Sequence, residues 1–80
     1  MSLRIICQPE HVSDWITQRQ GTPARERGSD AALRVLFGNA AGDHEKLSLD
    51  ELIEAMKMHH LVLLVDDLPG QTFHKFVVRG

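Results

Sequence analysis

Eighty residues make one small domain, able to bury somewhat more than ~60% of the surface its unfolded chain exposes. The 42% hydrophobic and 25% charged shares are those of an ordinary globular chain, and a net charge of -2 has the wrong sign for a dedicated nucleic-acid binder. A single cysteine, Cys7, excludes an intramolecular disulfide and a Cys-rich zinc site. The longest apolar run, Leu61 to Val65, is too short to span a bilayer. Leu3, Ile5 and Ile6, ended by Gln8-Pro9-Glu10, are too few for a leader segment. The expectation is a soluble cytoplasmic protein without a cofactor.

Taken in chain order, Leu3 to Cys7 reads as a short strand with β-branched Ile5 and Ile6 at its centre. Pro9 stands where proline is best tolerated, in the first turn of a helix. Val12, Trp15, Ile16 and Arg19 follow at spacings that lay down one stripe, so residues 9–20 are expected to be helical. Gly21 is expected to supply the left-handed stop, and Pro23 to prevent resumption. Residues 21–31 are polar and turn-rich and read as a loop. Leu33 to Phe37 reads as a strand stopped by Gly38, and Gly38 to Lys46 as a second loop.

The best-signalled element is the second helix. Ser48 and Glu51 form a capping box, in which each side chain satisfies a main-chain N–H at the helix start, with Leu47 and Leu52 in the staple positions. Asp50 and Glu51 at its start, and Lys57, His59 and His60 at its end, carry the signs that the helix dipole favours. Leu49, Leu52, Ile53 and Met56 line one face. Leu61 to Val65 fits a strand buried on both faces, Asp66 to Gln71 a turn around Pro69-Gly70, and Thr72 to Arg79 a returning strand. Residues 1–80 are therefore expected to form a single α+β domain of two layers, two helices packed on a mostly antiparallel sheet of about three or four strands.

The run Trp15-Ile-Thr-Gln-Arg19-Gln-Gly21-Thr-Pro23-Ala24 resembles the W-x-x-x-R-G-G-x-P-A opening of a family of small uncharacterised bacterial proteins. Ser48-Leu49-Asp50-Glu51-Leu52 is similar to that family's S-W-D-E-F-F helix start. Leu61 to Val65 is similar to its L-A-F-L-Y strand, and Phe73-His-Lys75-Phe76-Val77 to its R-F-x-K-F-V ending. The likeness runs from about Val12 to Arg79. Gln20 stands in place of the family's first glycine, Leu49 in place of its Trp, and Leu52-Ile53 in place of its paired Phe. The family often carries the automated label of a glucan branching enzyme. That chemistry runs on a barrel of typically ~250 residues, which this chain cannot form, so the resemblance implies a fold and not an activity.

Candidate binding residues are Trp15, Arg19, Gly21, Pro23, Arg25, Arg27 and Lys75. A helix end followed by an Arg-rich Gly/Pro loop has the forked donors that hold phosphate or carboxylate. The same residues fit a helix stop with solvated arginines balanced by Glu26 and Asp30, with Arg19 aimed inward or along the sheet from the Trp15 stripe and Trp15 in the core. Lys75 lies between Phe73 and Phe76, either as part of a stacking platform or as an edge-strand charge. No two histidines have the i, i+4 spacing of a helical zinc motif, and His59 and His60 diverge by ~100° on a helix, so no metal and no catalytic residues are assigned. The functional expectation is a non-enzymatic module that binds a protein partner or forms a homodimer through a sheet edge. The alternative is an accessory nucleic-acid binder using Arg4, Arg19, Arg25, Arg27 and Lys75.

Overall fold

The computed structural model describes residues 2–28, 32–38 and 44–79. Among the described residues eight elements follow one another: β1 (Leu3–Ile6), α1 (Pro9–Gln18), β2 (Thr22–Glu26), β3 (Leu33–Leu36), β4 (His44–Lys46), α2 (Leu49–Met58), β5 (Leu61–Asp66) and β6 (His74–Val78). The α+β class and both helices are as the sequence implies. The strands differ: they form two antiparallel three-stranded sheets, ordered β1-β5-β6 and β3-β2-β4, where one sheet was expected.

The additional strands come from the segments read as loops. Thr22–Glu26 pairs with β3 on one side and β4 on the other, so a polar stretch containing proline is the centre of a sheet. Proline is tolerated there because Pro23 contributes only its carbonyl, which accepts the Leu47 N–H at 2.9 Å. Much of the second expected loop, and Asp30 in the first, lie outside the described residues.

The first helix also ends differently. Gln20, with φ 56°, supplies the left-handed residue that was assigned to Gly21. Gly21 is needed for room instead: a Cβ there would lie 2.6 Å from Val35 Cγ1 and 3.1 Å from Phe37 Cε1. The close passage of this backbone over β3 is what a side chain would forbid. In α2 the capping box is complete, Ser48 N–H donating to Glu51 Oε1 at 2.9 Å and Glu51 N–H to Ser48 Oγ at 3.1 Å.

One core holds all the layers together. Val12, Trp15 and Ile16 of α1 and Leu52 and Met56 of α2 pack in one cluster with Ile6, Leu63 and Val65 of the first sheet and Leu33 and Val35 of the second. Each fully buried side chain of this kind stabilises by roughly 1.5–3 kcal/mol relative to an exposed one. The opposite face of the first sheet is less covered than its sequence implies. Ile5, Leu64 and Lys75 share that face in register, and Leu64 is only half-buried while Ile5 is 64% exposed. No helix among the described residues is long and apolar enough to cross a membrane.

Candidate functional site

Trp15 and Arg19 lie one turn apart on α1 and act together on the turn after β5. The Trp15 indole N–H donates to the Asp66 carbonyl at 3.1 Å, and the Arg19 guanidinium lies 4.5 Å above the indole ring. That guanidinium donates to four main-chain carbonyls: Gln71 at 2.6 Å, Leu68 at 2.9 Å, Trp15 at 3.3 Å and Asp66 at 3.5 Å. Asp66, 4% exposed, accepts the Ser2 and Leu68 N–H groups on Oδ1, and so ties β1 to the same turn. Arg19 is thus committed to shaping the chain, with each of its three nitrogens engaged.

The remaining expected site residues lie in different places. Gly21 and Pro23 are partly or fully buried in and before β2. Arg25 forms a fork with the Glu45 carboxylate across β2 and β4, at 3.1 and 3.2 Å. Those hydrogen bonds first, and the Arg25 charge second, hold the Glu45 carboxyl below its ordinary value of 4.5, with Arg27 acting in the same direction. Arg27 is exposed in the turn after β2. Lys75 is exposed on β6 and lines a shallow gap with Arg34, away from the α2 groove that Arg25 lines. The seven residues are not gathered into one surface. Arg4, also proposed for an anion-binding face, pairs with Asp67 at 3.4 Å.

Three features escaped the sequence. The first is His74, which bridges the sheets. Its Nε2 accepts the Val35 N–H at 3.1 Å and its Nδ1 lies 3.0 Å from the Thr72 carbonyl, so the ring carries its proton on Nδ1. Phe37, Trp15 and Phe76 surround it with ring centroids at 5.7, 6.2 and 6.1 Å.

The second is the free edge of β1. The Asp67 N–H donates to the Ser2 carbonyl, which makes Ser2 and Asp67 a hydrogen-bonded pair. Such pairs alternate along an antiparallel ladder. Arg4 and Ile6 therefore point their main-chain groups at β5, while Leu3 and Ile5 point theirs outward. The same two residues have exposed side chains, 52% and 64%.

The third is a cleft of about 210 Å³ at one end of the first sheet, assembled from three separate stretches of chain. Cys7 after β1, Lys57 and His60 at the end of α2, and Arg79 after β6 meet there above Val12, Ile53 and Met56. Among the described residues no group of three or more His, Cys, Asp or Glu side chains is placed to hold a metal ion. Comparison with family models, curated proteins and solved structures finds no match for this chain.

Proposed function

We propose that this protein is a non-enzymatic cytosolic interaction module that pairs with a second copy of itself along β1. The observation that carries the reading is the coincidence, on Leu3 and Ile5, of outward main-chain groups and exposed apolar side chains. Edge strands that are not meant to pair are usually blunted by lysine, proline or a bulge. The outward-facing residues of β1 carry neither a charge nor a proline.

A two-fold axis through Arg4 sets Leu3 of one copy against Ile5 of the other, so that each such pair exchanges two main-chain hydrogen bonds. The two Arg4 side chains then approach each other, each already paired with its own Asp67. The contact joins two three-stranded sheets into one of six strands with a longer apolar outer face. So short an edge belongs at the small end of protein interfaces, and a dissociation constant of about micromolar order is expected.

Sedimentation equilibrium over a range of concentrations tests this. Wild-type protein is expected to dimerise reversibly and Ile5→Lys to remain monomeric with unchanged circular dichroism. A wild-type chain that stays monomeric at several hundred micromolar rejects it. The nucleic-acid alternative draws less support, because Arg19 is spent on carbonyl groups while Arg4 and Arg25 face carboxylates.

A further inference from the structure

We infer that the cleft between the start of α1 and the end of α2 is a binding site for a small amphipathic carboxylate, such as a short-chain acyl acid. The inference is independent of self-association, which uses the main chain of β1.

The sheet register explains why the basic groups meet. His60 and Arg79 are opposite one another, the Arg79 N–H donating to the His60 carbonyl at 2.6 Å, and Cys7 continues β1 beside the start of β5. Lys57 comes from the last turn of α2 and Pro9 from the first turn of α1. The dipole of α2 accounts for a lysine at its end, but not for Arg79, which β6 delivers from elsewhere. Among the described residues the lining has Lys57, His60 and Arg79 and no acidic one, in a chain whose net charge is -2. The Glu54 carboxylate lies 3.9 Å from Lys57 in an exposed pair, a weak attachment that an incoming anion can displace, and Glu10 follows Pro9 in the first turn of α1.

The positive end of α1 acts in the same direction. Its N-cap residue, Gln8, makes no side-chain capping bond, and its neighbours Cys7 and Pro9 both line the cleft. The α1 dipole favours an anion near this end, while Glu10 in its first turn and the negative end of α2 oppose it, so the basic side chains carry the attraction. Arg79 offers a carboxylate two parallel donors.

The floor determines the rest of the ligand. Val12 is 1% exposed and Met56 5%, and neither offers a strong donor or acceptor to an occupant. At about 30 Å³ per water, the volume holds roughly seven waters, which suits a short chain and is smaller than pockets for drug-sized ligands. No Phe, Tyr or Trp among the described residues lines it to offer a stacking platform for a nucleobase. A charged head held by Arg79, Lys57 and His60, with an unbranched tail over Val12, Ile53 and Met56, matches these features together.

Isothermal titration of the full chain with octanoate, 1-octanol, octylamine and inorganic phosphate tests the assignment. Octanoate is expected to bind saturably, with the other three at least about tenfold weaker, since a charge-assisted hydrogen bond contributes about that factor or more. Arg79→Gln is expected to weaken octanoate about tenfold while leaving 1-octanol unchanged. Lys57→Gln, on the exposed surface of α2, provides a second variant should Arg79→Gln fail to fold. Ile5→Lys is expected to bind octanoate as wild type does, whatever its oligomeric state. Absence of octanoate binding, equal binding of octanoate and 1-octanol, or wild-type octanoate affinity in both folded basic-residue variants overturns the proposal.

Discussion

The His74 imidazole accepts the Val35 main-chain N–H at 3.1 Å and thereby joins two sheets that are otherwise separate ladders. Val35 points this group away from β2, toward β6, where a strand's carbonyl would ordinarily receive it. A side chain fills the place of a ladder bond. His74→Ala is expected to lower stability by about 1–3 kcal/mol, because a part-buried donor loses its partner. His74→Gln retains an acceptor and should cost less. Urea midpoints rank the three proteins, and nitrogen NMR of the wild-type imidazole should find the neutral ring protonated at Nδ1.

Arg19 is a structural fastener, and its replacement should be felt in the turn after β5. Arg19→Lys keeps the charge but cannot reproduce the planar fork that serves four carbonyls. Its expected cost is about 1–2 kcal/mol, with faster amide exchange at Leu68 and Gln71 while α2 is unaffected. Equal exchange in both proteins would show that the turn is held by other contacts.

Neighbouring residues at the end of α1 should respond in opposite directions. Gln20 sits at φ 56°, where a side chain is strained, so Gln20→Gly is expected to raise stability by about 1 kcal/mol. Gly21→Ala should lower it by about 1–3 kcal/mol, since the added carbon meets Val35 at 2.6 Å. Thermal melts of both variants read the difference directly.

Glu45 provides the pH prediction. Its folded-state pKa lies below the ordinary 4.5, so the Arg25 fork contributes to stability above that value, and the contribution is lost as pH falls through the lowered one. The carboxyl is solvent-exposed, so the effect on overall stability should be slight. Carbon-detected NMR titration should place Glu45 below the ordinary 4.5, and Arg25→Gln should raise it.

The two helices were legible because their signals are local: a capping box, a proline at the first turn, apolar residues at helical spacing. Strands β2 and β4 were not. Thr22-Pro-Ala-Arg-Glu26 has little intrinsic strand character and is extended because β3 and β4 flank it, which is a non-local cause. Trp15, a candidate for binding or for the core, is 3% exposed and belongs to the core, as its stripe with Val12 and Ile16 implies. The cleft was invisible for the same non-local reason. Cys7, Lys57, His60 and Arg79 have no meaningful spacing, and only the pairing of three strands brings them together. His74 was missed because its partner is a main-chain group 39 residues away.

The placement of β1 also bears on synthesis. Leu3 pairs with Asp66, so β1 has no partner until β5, some sixty residues later in the chain, has been made. Through that interval Leu3, Ile5 and Ile6 are an apolar segment without the β5 edge that later pairs with them, so β1 is the element of this sheet most exposed to mispairing before the fold closes.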